Sequence, residues 1–472
     1  PCPPRTHRHC LYRNGLKPMK HFAAATFALI LLAGCQEEEN AGATTETSPG
    51  GVEYTRLYIP KAEDVAIQIA WPTNWALRED VNQAVPYIGT DLILAGGAEG
   101  FPPGEVVETF ADLNAEGIMW VTADHLHGQL ITPKDNLDKA IEIAAAHLAK
   151  PTMDQGWFDR IQQGFAANMV EAKSQPAPLG YDALRWAILG DTPMRRALSV
   201  DPPEMIKTAT RADVQDWHQQ TMVRTGATVV IAGEISQEDA GKAVDALISG
   251  LPEGSAVTAA DPTADFSARR ILLHVPEAQT STLVFIGPLP PTREGGEFED
   301  VLLATALGGD DQSVLFDAVR TGLRASYGFG AGLDAYSRDL RVLVLSGELE
   351  TAKLAEAETI VRTAYSEFLT APKMGDLTAR KEPFKANGQQ TATLPGAASF
   401  SALMAILDGQ DANLALTLPS LLDKVTDATV QARAASAFPK AESLIVLAVS
   451  PDASALPGAC VITSPAEAAS CR

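Results

Sequence analysis

Two β-branched runs, ATVVIAGEI at 227–235 and SLIVLAVS at 443–450, constrain this chain more than any other feature. Each reads as a strand closing a long patterned stretch, and their starts lie 216 residues apart. Recurrence at that spacing predicts two copies of one folded unit. Between the copies, Leu251–Ala264 (LPEGSAVTAADPTA) is rich in Pro, Gly, Ala and Asp and marks a boundary. The ~420 residues from 52 onward exceed what one core organises and suit two domains.

Inside the first copy, 53–59 and 65–71 (VAIQIAW) read as strands. A helix is predicted over Gly104–Gly117, with Val107, Phe110 and Leu113 on one face and Gly117 as its C-cap. Residues 118–122 and 127–132 alternate like a strand pair around Asp124-His125. In 136–149, Leu137, Ile141, Ala144 and Leu148 form one helical stripe. The second copy repeats the mixture, with strands at 271–275, 282–287 and 341–349 and a helix over about 352–369. Paired strands and blocks of helices predict an α+β fold with mainly antiparallel sheets rather than βαβ alternation. The expected organisation is one domain over 52–254, a similar one over 265–455, and a tail over 456–472.

The N-terminal region carries a different signal. From Met19 the chain reads MKHFAAATFALILLAGCQ: a lysine, an apolar run, then small residues before a cysteine, the layout of a bacterial secretory signal. The apolar run is shorter than the roughly 20 residues needed to span a bilayer. Leu32-Ala33-Gly34-Cys35 resembles a lipobox, which makes Cys35 the expected lipidation site and the periplasm, with an anchor in the outer membrane, the expected location. Residues 1–18 precede this start and are read as an extension outside it, and 19–35 as the signal. Cleavage before Cys35 removes five basic residues and no acidic one, taking the net charge from −22 to −27. Such a chain is repelled by phosphate backbones, so nucleic acid is excluded as a partner, and the membrane is reached only through the anchor. Residues 36–51 (QEEENAGATTETSPGG) are polar and acidic and read as a flexible tether. Cys2 and Cys10 fall in the extension, which leaves Cys460 and Cys471 to pair in an oxidising compartment or remain free thiols.

Three segments carry a resemblance. The stretch 213–235 (DVQDWHQQTMVRTGATVVIAGEI), the stretch 104–154 beginning GEVVETFADLNAEGIMW, and 307–332 (LGGDDQSVLFDAVRTGLRASYGFGAG) resemble, in order and spacing, the insulinase/pitrilysin family of zinc metallopeptidases. That resemblance implies two similar α+β domains forming a clamshell. Active members carry H-x-x-E-H on a helix. Its histidines bind zinc, its glutamate takes a proton from the metal-bound water, and a distal glutamate completes the ligand set. Here the aligned positions are Tyr87, Thr90 and Asp91, and Glu171 matches the distal glutamate. A phenol and two carboxylates are poor zinc ligands, and Thr90 cannot serve as a base at neutral pH. No metal or other cofactor is therefore expected on this chain, and no catalytic residue.

Four other histidines bear on where a metal could sit. His125 and His127 share a strand face, yet without a third ligand they read as surface or interface residues; His147 and His218 read as structural. In the resembling family an arginine and a tyrosine seven residues apart hold substrate across the chamber, and these match Arg320 and Tyr327. A guanidinium fork and a phenol suit a developing oxyanion. The resemblance thus implies a non-catalytic, zinc-less subunit that binds unfolded peptides and serves a zinc-bearing paralogue. The alternative is a peptide-binding or scaffold protein of the cell envelope, and a peptidase of other chemistry is disfavoured by the missing base.

Overall fold

The computed structural model describes residues 41–255, 257, 262–325 and 328–472. Through the first half run β1 (Gly42–Thr47), β2 (Glu53–Tyr58), β3 (Asp64–Pro72), α1 (Val85–Ala95), α2 (Val106–Asp112), β4 (Glu116–Val121), β5 (His125–Pro133), α3 (Leu137–Ala149), α4 (Gln155–Ala172), α5 (Pro176–Leu189), α6 (Pro193–Ser199), α7 (Glu204–Thr208), α8 (Arg211–Thr221), β6 (Thr228–Gly233) and α9 (Gln237–Ile248). The second half holds β7 (Arg270–His274), β8 (Ser281–Leu289), α10 (Glu297–Gly308), α11 (Val314–Phe316), β9 (Phe329–Ser337), β10 (Leu340–Leu349), α12 (Leu354–Thr370), α13 (Leu377–Thr391), α14 (Pro395–Leu407), α15 (Leu414–Lys424), α16 (Asp427–Ala437), β11 (Ile445–Ser450) and β12 (Cys460–Ile462).

These strands form two six-stranded sheets, β1-β2-β6-β3-β5-β4 and β12-β7-β11-β8-β10-β9, whose order matches over the five strands from β2 to β4 and from β7 to β9, while the outer strands β1 (antiparallel to β2) and β12 (parallel to β7) differ. The two β-branched runs of the sequence, β6 and β11, occupy the same interior place in each. Both pair antiparallel with one neighbour (β3, β8) and parallel with the other (β2, β7). The internal repeat is thus a repeat of sheet topology, and the fold is α+β as expected.

Period-two alternation divides each sheet into two apolar faces. Along β3, Val65, Ile67, Ile69 and Trp71 enter a core packed by α1, α3 and α9, while Ala70 faces the other side. That other side is closed by Ala398, Ala402 and Leu403 of α14, a helix of the second half. The second sheet is treated reciprocally. Phe285, Leu343 and Val446 face α10 and α12, whereas Ile271, Val284 and Leu447 pack on Ala183, Leu184, Ile188, Met194 and Ala197 of α5 and α6, helices of the first half. Each half lends a helical cover to the other's sheet, and Asn40–Arg472 cohere as one compact unit. The expected split at 52–254 and 265–455 therefore separates the sheets but not the helical layers.

Two local expectations are corrected. The tether read over 36–51 includes β1, which pairs along its whole length with β2, from Gly42 opposite Tyr58 to Thr47 opposite Glu53. Its composition buries little, and the strand is held by ladder hydrogen bonds and by the Asn413 side chain, whose Oδ1 accepts from Ala43 N at 2.8 Å. The helix read over 104–117 ends at Asp112. Asn114 takes a left-handed φ of 49° that turns the chain, and Gly117 lies in β4, where a Cβ would come 2.7 Å from the Phe110 ring. Phe110 is buried as read, but Val107 is 74% exposed. In the tail, β12 lies parallel to β7 and Cys460 is bonded to Cys471 with Cα atoms 5.8 Å apart.

Candidate functional site

The motif positions lie on α1, a helix with proline in its first turn and Ile88, Leu92 and Ile93 buried beneath it. Gly89 lets the helix approach α8, since a Cβ there would lie 2.4 Å from the Trp217 ring. Tyr87 sits edge-on to Trp75, with ring centroids 5.6 Å apart, and against Phe165 of α4 at 5.8 Å. Its hydroxyl donates to the Ala197 carbonyl at 3.1 Å, and burial raises the phenol above its ordinary pKa, opposed by the charge of Arg185. Thr90 is buried, and its hydroxyl donates to the Tyr87 carbonyl at 3.0 Å. Asp91 is exposed to solvent on one side, while the surrounding protein desolvates its carboxyl enough to raise it above the ordinary carboxylate range. Glu171 is exposed in the last turn of α4.

The donors that a tetrahedral zinc site requires are thus absent from α1, and the polar atoms present are turned to backbone carbonyls or solvent. These residues do not fit a zinc ion. Among the described residues no three His, Cys, Asp or Glu side chains are grouped so as to hold a metal. His125 and His127 share a face of β5, with ring centroids 5.7 Å apart, and His127 stacks on Trp120 at 5.0 Å. Burial lowers both imidazoles to about 4, aided by Arg338 of the second half, and for His127 by His125 as well. Both belong to the contact between the halves. His147 Nδ1 lies 2.8 Å from the Ile143 carbonyl and His218 Nε2 2.7 Å from that of Leu148, which makes both structural.

Beside α1 the first sheet ends at β4. An edge strand presents unpaired N–H and C=O groups to which an extended chain can add. The sequence located this strand but gave no sign that it is an edge, because strand order depends on long-range pairing.

Arg320 lies in the second half, on a π-helical turn (Asp317–Gly322) that continues α11, a local form frequent at functional sites. Its guanidinium carbon is 5.3 Å from the centroid of the Phe316 ring. With Thr280, Arg324, Ala325, Gly328, Glu348, Leu349 and Glu350 it lines an open cavity of about 660 Å³. Arg324 stands where the resembling family's Gly-Leu-Ala-Tyr has glycine, a departure to which the sequence alone attaches no role. Tyr327 lies outside the described residues, as does Cys35.

Two sheets that share the order of five strands, each flanked by helices and interlocked through α5, α6 and α14, build the α+β body. Residues 208–382 match the family described as "Peptidase M16 inactive domain". The "peptidase M16 inactive domain" structure from Pseudomonas fluorescens is 16% identical, covers 87% of this chain and 98% of its own, and superposes with a TM-score of 0.75. The first half of the periplasmic protease PqqL from Escherichia coli is 16% identical over 91% of this chain and 96% of its own, with a TM-score of 0.68. Pitrilysin is 14% identical, with 88% of this chain and 45% of its own covered, at a TM-score of 0.63. No curated protein sequence matches. Residues 208–382 thus resemble the M16 inactive domain in sequence, and the chain shares its fold with M16-type peptidase structures. No described helix is long and apolar enough to cross a membrane.

Proposed function

We propose that this chain is the non-catalytic half of a two-chain zinc peptidase of the cell envelope, supplying substrate-binding groups to a zinc-bearing paralogue. The observation that carries the reading is an asymmetry. The metal positions Tyr87, Thr90 and Asp91 offer no zinc donors and no base, while Arg320 is kept exposed on the wall of an open cavity. A guanidinium that stabilises an oxyanion needs a nucleophile to generate it, and a zinc-bearing partner chain can provide one. The chain spans 50% of the length of PqqL and 45% of that of pitrilysin.

On this reading an unfolded peptide adds to the free edge of β4 through backbone hydrogen bonds and is held against the partner's zinc with help from Arg320 and Tyr327. The chain itself binds no metal or other cofactor. It stands in the periplasm, attached through lipidated Cys35, in the outer membrane because Gln36 gives no retention signal of the aspartate type. The scaffold alternative keeps the β4 edge but gives Arg320 no role.

The test is metal content and association. Protein purified without chelator is expected to hold no stoichiometric zinc, and to elute with the zinc-bearing paralogue as a heterodimer. One tightly held zinc per chain, or separate elution at micromolar concentrations, contradicts the proposal.

A further inference from the structure

The cavity that holds Arg320 has a second cationic residue whose backbone is unusual. Arg324 has φ 55°, in the left-handed region that glycine occupies at lower cost than an L side chain. Among described non-glycine residues only Lys61, Asn114, Met153 and Val200 also have positive φ. The surroundings enforce this geometry. Lys353 Nζ donates to the carbonyls of Leu323 and Arg324, both at 3.0 Å, Leu323 N donates to Ala318 O at 3.1 Å, and Ala325 N to Val319 O at 3.2 Å. Glu350 N in turn donates to Ala325 O at 3.0 Å, and Ala325 is buried.

The clamped backbone presents an exposed side chain. The Arg324 guanidinium makes no hydrogen bond or ion pair with any described residue, although Glu348 and Glu350 line the same cavity. Glu348 accepts the Thr280 hydroxyl and is exposed, as is Glu350. The Arg324 side chain is exposed, and strain held by the surrounding structure is a recurrent property of binding sites. Two guanidiniums from one segment and two carboxylates from another make the cavity bipolar, and its volume accommodates several residues of an extended peptide.

We infer that Arg324 is a specificity-determining residue that selects an acidic side chain of the bound peptide, with Glu348 and Glu350 receiving a basic neighbour. This rests on the peptide-binding role proposed above. The guanidinium suits a carboxylate through two parallel hydrogen bonds, which neither an amide nor a hydroxyl reproduces.

The experiment measures binding of four fluorescent unstructured peptides to the full chain by anisotropy at low salt. One carries an adjacent Asp and Lys, the others replace Asp by Asn, Lys by Gln, or both. The wild type is expected to bind the Asp–Lys peptide about two- to fivefold more tightly than the Asn–Lys peptide, the range of one exposed charge-assisted pair. Arg324→Gly should abolish that preference and leave affinity for the neutral peptide unchanged. Its melting temperature should not fall, because glycine suits the backbone at this position. Retention of the preference in Arg324→Gly, equal binding of all four peptides, or binding of none by the wild type overturns the inference. The subunit reading survives each of these outcomes, since it is decided by cleavage with the partner.

Discussion

Single residues set how this protein responds to pH. His125 and His127, buried where the halves meet, face Arg338 of the β9–β10 turn, Asp124 and Trp120, with Asp408 bound to Arg338 at 2.6 Å. Both imidazoles titrate near 4 in the fold against about 6.5 when unfolded, so the unfolded chain takes up their protons first. Their contribution is fully present above pH 6.5 and is lost as pH falls toward 4. Asp124, raised by burial, acts with the opposite sign and offsets part of the loss at the acid end. Melting temperatures should decline between pH 6.5 and 4.5, and His125→Asn with His127→Asn should flatten that slope; an equal slope in the variant would remove the histidines from the account. Asp300, fully buried, accepts from Arg433 at 2.7 and 2.8 Å and from Arg341 at 3.1 Å. Removing the carboxylate leaves two guanidiniums poorly paired, and Asp300→Ala is expected to cost about 3–5 kcal/mol in urea unfolding. At this scale Tyr87, Thr90 and Asp91 are matched to the zinc motif by resemblance alone, and the structure adds that they share α1. The left-handed Arg324 was not legible in the sequence, because its conformation is imposed by Lys353 and Glu350 from a distant segment.

At the scale of elements, the strands were the most legible part. The alternation in 65–71 and the β-branched runs of β6 and β11 follow from faces that bury every second residue. The misread elements are those whose structure comes from elsewhere: β1 has a polar composition and exists because β2 offers a free edge, and α2 ends early because the chain must turn at Asn114 to pair β4 with β5. The cover of the first sheet by α14 was equally hidden, since an apolar helix does not name the sheet it packs on. Leu403, wholly buried beneath that sheet, gives the exchange a direct test. Leu403→Ala should destabilise by about 2–5 kcal/mol. Unfolding should remain one transition by probes in either half, because each sheet loses a face if the other half melts. Two resolved transitions would instead mean that the halves are independent. In the tail, the Cys460–Cys471 bond closes a short loop on β12, and its removal by paired serine substitution is expected to cost about 2–3 kcal/mol on chain-entropy grounds. Unchanged resistance of the tail to proteolysis after reduction would show that β12 needs no clamp.

For the whole molecule, the repeat made two similar sheets legible in the sequence, and the acidic charge argues against a nucleic-acid partner. What they could not supply is the arrangement on which the proposed function rests. In that arrangement α1 carries no ligands, β4 has a free edge beside it, and Arg320 and Arg324 sit in a cavity of the other half. The attachment to the membrane is a separate expectation, tested by Cys35→Ser, which should release the protein from the membrane fraction or stall its processing. The central claim is that this chain completes another chain's active site. The most direct measurement mixes the purified protein with its zinc-bearing paralogue and follows cleavage of an unfolded peptide. The paralogue alone should be nearly inactive and the wild-type chain should restore turnover. Arg320→Ala and Tyr327→Phe should each assemble normally yet lower the rate by about 10²–10³. Wild-type rates with both variants, or equal cleavage by the paralogue alone, would contradict the account.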